Sequence, residues 1–310
     1  MKYSRLAEEL TMMVEKARPL TKEGKVADYI PALKKEQADQ LSLFVLHVDG
    51  TSYHAGDYLK KFTLQSISKV LSLAIVLIDL GPERVFEKVG MEPSGDPFNS
   101  IVKLETMKPP VKPMNPMINA GALAVTEMIP GKNSEEKWRR LTNFISELID
   151  QDVSVNETVA KSEFETSFIN RALCYFLKQH EIIIGDVEEL LAVYTKQCAL
   201  EVNCQQLARI GTIFALNGKD PKTSKQIIPK DIARICKTYM VTCGMYDASG
   251  QFAIEVGIPA KSGVSGGILG VVPQQCGIGI FSPALDDKGN SVAGMKLLEI
   301  MSERFDWSIF

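Results

Sequence analysis

The hydrophobic positions of this chain change their spacing from one region to the next. Leu6, Leu10, Met13 and Val14 recur at helical intervals, so residues 1–40 read as helices, broken at Pro19 and Gly24. Residues 41–48 then form an apolar run, followed by Asp49-Gly50 and residues 51–54, the pattern of a hairpin closed by an Asp-Gly turn. From Ser66 to Met245 the spacing is mainly helical with loops. Within that stretch residues 70–78 are apolar on nearly every side before Gly81-Pro82 stops them, which marks a buried helix. Strand-like runs return at residues 252–256, 267–272 and 277–281, and helical spacing closes the chain from about Val292 to Phe305.

Strands near both ends with helices between them predict an α/β chain of the α+β kind: an antiparallel sheet flanked by terminal helices, plus a helical lobe. The expected division is a single catalytic unit over residues 1–310, with a sheet lobe from 1–65 and 247–310 and a helical lobe from 66–246. A cleft between the lobes would take a small substrate. No internal repeat, low-complexity tract or long linker argues for independent domains.

Composition narrows the partners. With 310 residues, 45% of them hydrophobic and 24% charged, the chain can bury a large core. A net charge of -3 without a polybasic run makes neither nucleic acid nor an anionic membrane an expected partner. The longest apolar stretch, around residues 70–80, is too short to span a bilayer and contains Asp79. The first ten residues are charged and amphipathic, without the apolar core of a signal peptide, so a cytoplasmic location is expected. Six cysteines without a C-x-x-C pair read as reduced, buried thiols; no metal is assigned and no cofactor is expected.

The most informative polar positions are Ser66-Ile67-Ser68-Lys69, at the entrance of the hydrophobic helix, and Lys261-Ser262-Gly263 far downstream. A serine and a lysine three residues apart share one helical face, so the amine can act on the hydroxyl proton. Burial in an apolar helix would lower the lysine pKa toward neutrality, and a helix N-terminus would stabilise an oxyanion. The three histidines, His47, His54 and His180, have no triad setting. His47 reads as a strand residue, His54 as flanking a turn and His180 as ending a helix. A serine hydrolase built from this chain would use lysine and tyrosine.

Lys-Ser-Gly after S-x-x-K is the pattern of the serine beta-lactamase and penicillin-binding-protein fold, and the surrounding residues resemble the serine-dependent glutaminases in particular. The matching segments are Asp28-Tyr29-Ile30-Pro31, Gln65-Ser66-Ile67-Ser68-Lys69, Glu92-Pro93-Ser94-Gly95, Asn115-Pro116-Met117-Ile118-Asn119-Ala120-Gly121-Ala122, Ser162-Glu163, Cys243-Gly244-Met245-Tyr246-Asp247 and residues 259–267. The resemblance implies a beta-lactamase-like fold and hydrolysis of L-glutamine to L-glutamate and ammonia through a glutamyl-serine ester. It implies Ser66 as nucleophile and Lys69 as its activating partner. Tyr29, Asn119, Glu163, Asn170, Tyr194 and Tyr246 take the substrate-binding and proton-handling positions, and Val264 supplies a backbone N–H to the oxyanion hole beside that of Ser66. Tyr246 is the first choice for the proton relay and Tyr194 the second. The chain resembles the compact bacterial type, and a homo-oligomer, dimer or tetramer, is the expected assembly.

Taken singly, these residues have plainer readings: Glu163 as a solvated or capping acid, Asn119 as a turn residue, Tyr246 as a core aromatic with its hydroxyl at the surface. Two rival functions stand beside the glutaminase reading. A beta-lactamase or penicillin-binding enzyme would need an S-x-N motif, which Ser154-Val155-Asn156 matches formally, although its polar surroundings read as a loop. A glutamine-binding sensor would lack catalysis, which Ser66 and Lys69 argue against.

Overall fold

In the computed structural model, which describes the backbone of residues 2–310 and the side chains from residue 8 onward, Asp49 closes the expected hairpin. Its carboxylate accepts from the Thr51 N–H at 2.9 Å and from the Thr51 hydroxyl at 2.6 Å, an Asx turn that fixes the reversal. The hairpin joins β1 (Ser42–His47) to β2 (Ser52–Ala55). The remaining strands are β3 (Phe62–Thr63), β4 (Ser154–Val155), β5 (Leu200–Val202), β6 (Ala260–Ser262), β7 (Gly267–Val272) and β8 (Cys276–Phe281). They make two antiparallel sheets, a five-stranded one in the order β2-β1-β8-β7-β6 and a three-stranded one in the order β3-β5-β4. The side chain of Leu6 lies outside the described residues.

The helices are α1 (Lys2–Ala17), α2 (Ser68–Leu80), α3 (Pro82–Lys88), α4 (Val102–Thr106), α5 (Asn119–Glu127), α6 (Ser134–Ile149) and α7 (Glu157–Thr166). They continue as α8 (Phe168–Gln179), α9 (Val187–Cys198), α10 (Cys204–Ala215), α11 (Lys230–Cys243), α12 (Ser249–Glu255) and α13 (Val292–Phe305). This is the mixed fold expected, and α13 has the predicted limits. Among the described residues no helix is long and apolar enough to cross a membrane.

One face of the large sheet packs on α1 and α13, where Leu10 and Val14 meet Leu43, Ile278, Ile280, Leu297 and Met301. The other face meets α10, which leads into the core built around α2. That contact depends on strand alternation. Ile278 and Ile280 of β8 point toward α1 and α13, so Gly277 and Gly279 face α10. A Cβ at Gly277 would lie 2.1 Å from the Ala208 carbonyl oxygen, and one at Gly279 would lie 2.1 Å from that of Cys204. The helix therefore rests on bare strand backbone.

Three local expectations are corrected. Residues 252–256 are not a strand but part of α12 and its C-cap. Phe252 and Val256 are buried while Ile254 is 88% exposed, which is the i, i+4 spacing of a helix and not the two-residue period of a strand. Ser154 and Val155, read as loop, form β4, and Asn156 caps α7 by accepting the Val159 N–H at 3.0 Å. His54 lies within β2, with its ring 4.0 Å from that of Tyr58.

Gly279→Ala is expected to destabilise the fold by about 3 kcal/mol, because the new methyl must push α10 off the sheet. Urea denaturation measures this, and an unchanged midpoint would show that the helix–strand contact can relax without loss.

Candidate active site

The small sheet sets the position of the serine. Thr63 pairs with Glu201 across β3 and β5, and the Leu64 N–H donates to the Leu200 carbonyl at 2.8 Å. Gln65 then adopts φ +46°, a left-handed conformation that costs a non-glycine residue about 1–3 kcal/mol. The Ser68 hydroxyl holds this bend by donating to the Gln65 carbonyl at 2.7 Å. Residues 65–67 form a short 3-10 turn that runs into α2, so Ser66 sits one turn ahead of the helix proper. N–H groups in such a first turn have no intrahelical acceptor.

Lys69 is fully buried in the first turn of α2. Its ammonium donates to the Met117 carbonyl at 3.1 Å and to Asn119 Oδ1 at 2.6 Å. Desolvation pushes its pKa down to about 8, with Glu163 opposing in part. Two acceptors match a neutral amine well: both of its N–H groups are used and its lone pair stays free. Asn119 is fixed in turn, since its Nδ2 donates to Asn170 Oδ1 at 2.9 Å.

A second buried lysine comes from the other motif. Lys261 lies in β6, at the edge of the large sheet, and donates to the Ser262 carbonyl at 2.7 Å. Its Nζ also stands 4.4 Å from the centre of the Tyr246 ring, a cation–π distance. Burial first, and then the charge of Lys69, push its pKa well below the ordinary lysine value. The Tyr246 hydroxyl is buried, not at the surface, and donates to the same Ser262 carbonyl at 3.2 Å. Burial pushes this phenol up, against a hydrogen bond from Ser66 that holds it down. Gly263 lets the strand end approach the serine turn, because a Cβ there would lie 2.6 Å from the Leu64 carbonyl oxygen. Val264 follows, and among the described residues its N–H has no backbone acceptor.

Tyr29, Ser66, Asn119, Glu163, Asn170, Tyr194 and Val264 line one cavity of about 110 Å³, so seven of the predicted positions meet at a single place. The size suits a small metabolite, below the range for drug-sized ligands. Lys69, Tyr246 and Lys261 do not line it; Lys69 connects to it through Asn119, and Tyr246 through its hydrogen bond with Ser66. Glu163, on α7, is buried, and desolvation pushes its carboxyl up to about 7 against hydrogen bonds from Gln65 and Cys198 and the charge of Lys69. The Gln65 bond is 3.3 Å, from Nε2 to Oε2. Tyr29 is 54% exposed as a residue, while desolvation at its hydroxyl, then Tyr246 and Glu163, raise that group. Burial raises the Tyr194 hydroxyl as well.

Several wall residues were given no role in the sequence reading, among them Gln65, Cys198 and Phe98. Cys198 stands four residues after Tyr194 on α9, and that spacing alone places both on one face. Gln65 and Phe98 carry no local signal of their role. The expected reduced thiols are found, since all six cysteines are free and buried. Among the described residues no group of three or more His, Cys, Asp or Glu side chains is placed to hold a metal ion.

Chemically, the site joins a serine hydroxyl, a lysine depressed toward neutrality, a buried tyrosine and two N–H groups without a backbone acceptor. Beside them is a carboxylate suited to an ammonium. The family model for glutaminase matches residues 24–310. A glutaminase of Geobacillus thermodenitrificans is 62% identical over 304 residues, covering 98% of each chain. Glutaminase 2 of Bacillus subtilis is 58% identical over 304 residues, again covering 98% of each. A Bacillus subtilis glutaminase solved as the covalent complex with 5-oxo-L-norleucine, formed by reaction with 6-diazo-5-oxo-L-norleucine, superposes with a TM-score of 0.88 at 43% identity, covering 98% of this chain and 99% of that one.

Proposed function

The chain belongs to the glutaminase family and converts L-glutamine to L-glutamate and ammonia, and we propose that it does so through a glutamyl ester on Ser66. The observation that carries this reading is the setting of Lys69, whose two acceptors satisfy a neutral amine and leave its lone pair to take the Ser66 proton. Oγ then bonds to the side-chain amide carbon, and the oxyanion lies between the N–H groups of Ser66 and Val264. Collapse breaks the C–N bond as a proton reaches the nitrogen through Tyr246, with Tyr194 the second choice, and ammonia leaves. Water attacks the ester along the same route and restores Ser66. The covalent adduct of the solved Bacillus subtilis glutaminase supports a covalent step of this kind.

Recognition falls to the opposite end of the pocket. Glu163 takes the substrate ammonium, and Tyr29, Asn119, Asn170 and Tyr194 orient its carboxylate and chain. Lys261, Ser262 and Gly263 act around this set: the ammonium and the carbonyl hold Tyr246, and the glycine brings Val264 close. The same reading treats the chain as one catalytic unit, with a sheet lobe of residues 1–65 and 247–310 and a helical lobe of 66–246. It places the enzyme in the cytoplasm, in keeping with six free thiols. It also makes the chain a homo-oligomer, dimer or tetramer, since α8 turns Phe168, Ile169 and Tyr175 to solvent, where a second copy would cover them.

Ser66→Ala is expected to keep the fold and lose glutamine hydrolysis by a factor of about 10³ or more, read as ammonia release. A folded variant with substantial turnover would remove the ester mechanism.

The pH profile follows from two groups that both lose a proton as pH rises. Glu163, near about 7, must become a carboxylate, and Lys69, near about 8, must become an amine. The quotient kcat/KM should therefore climb on the acid side and level off above the Lys69 value. Glu163→Gln should remove the lower step and raise KM. A flat profile across this range would sink both assignments.

Light scattering of the purified protein should give a mass of at least twice the 34.2 kDa of one chain. A monomer mass at working concentration would refute the oligomer.

A further inference from the structure

The pocket around Ser66 does not close at the nucleophile. Tyr29, Phe98, Asn99 and Val264 line it and also line a second cavity of about 560 Å³. Glu163, Asn170, Tyr194 and Cys198 line the small pocket alone. The two ends of a bound glutamine therefore meet different surroundings. Its α-ammonium and α-carboxylate are confined at the Glu163 end, and an amide carbon that reaches Ser66 and the Val264 N–H lies at the junction. A group carried on the amide nitrogen would find the larger cavity beside that junction.

We propose that this enzyme also cleaves γ-glutamyl amides whose nitrogen carries an alkyl substituent, the substituent occupying the second cavity, and that it favours amines bearing a further positive charge. The proposal rests on the Ser66 ester reading. The step balances without any added reactant. The bond from Ser66 Oγ to the acyl carbon forms, the C–N bond breaks, and the amine leaves with the proton that ammonia would have taken. Water then splits the ester to glutamate. The charge preference comes from the walls, where Glu23, Asp247, Asp286 and Asp287 face Lys25 and Lys288, four carboxylates against two ammonium groups. Such an excess attracts a cationic substituent and weakens with salt. Asp286 is partly engaged in its own loop, accepting the N–H groups of Lys288 and Asn290 at 2.9 Å, while Asp247 and Asp287 are exposed.

Glutamate release is measured from four substrates: glutamine, γ-glutamyl ethylamide, γ-glutamyl butylamide and the γ-glutamyl amide of diaminobutane. The alkyl amides are expected within about tenfold of glutamine in kcat/KM, because an open cavity imposes little steric penalty. The aminobutyl amide should exceed the neutral butylamide several-fold at low salt. The double variant Asp247→Asn, Asp287→Asn should abolish that excess and leave glutamine turnover unchanged. Normal glutamine hydrolysis with alkyl amides below about one hundredth of its kcat/KM would overturn the proposal. Equal rates for charged and neutral amides would overturn its charge preference. Glutamine turnover retained by Ser66→Ala would instead overturn the ester reading beneath it, which keeps the two failures apart.

Discussion

The burial of Lys69 without a carboxylate bound to it is the constraint around which this site is organised. Taking an ammonium out of water costs several kcal/mol, and the usual remedy is an ion pair. Here the amine meets a backbone carbonyl and a carboxamide oxygen. Those dipoles satisfy its N–H groups without stabilising the charge as an anion would, so burial brings its pKa down to about 8. Asn170 fixes Asn119, and the apolar faces of α2 exclude water from around the group. The charge of Lys69 in turn helps burial push the neighbouring Lys261 down. The cost is offset by the large core in which α2 is embedded.

The second organising element is the sheet β3-β5-β4, small as it is. β3 leads directly into Gln65 and Ser66. β5 follows α9, which carries Tyr194 and Cys198, and β4 leads through Asn156 into α7, which carries Glu163. The Asn156 N–H donates to Ala199 at 2.9 Å, and the Glu201 carboxylate accepts from Ser154 and Asn156 at 3.0 and 3.2 Å. Ser66 and Glu163 are thus positioned from one small sheet, although they lie nearly a hundred residues apart in the chain.

Much of this was legible in the sequence, for identifiable reasons. An apolar run bounded by Gly81-Pro82 can only be a buried helix, and S-x-x-K at its entrance predicts a depressed lysine beside a serine. The hairpin and α13 follow from their spacing. The small sheet was hidden because strands of two or three residues have no readable period. Residues 252–256 misled because Phe252 and Val256 fit both a strand face and a helix face, and only the exposure of Ile254 decides. The ordered family match supplied Glu163 and Asn119, but not their physical state. The rise of the Glu163 carboxyl depends on burial by segments far away in sequence, as does the engagement of Lys69 by Met117. Gln65 acts through a contact that no local pattern announces, whereas i, i+4 spacing sets Cys198 on the face of Tyr194.

The walls of the two adjoining cavities meet at Tyr29, Phe98, Asn99 and Val264 and otherwise have separate origins in the chain. The recognising end belongs to the framework of β3, β5 and β4, whereas the outer cavity is bounded largely by segments near Lys25, Pro97 and residues 285–289. Among the outer-loop residues, Lys25, Pro97, Asp286, Asp287 and Lys288 line the outer cavity alone. Selection can therefore alter which leaving groups are tolerated without renegotiating how the glutamyl part is held, and lineages sharing one inner pocket are free to diverge at its mouth.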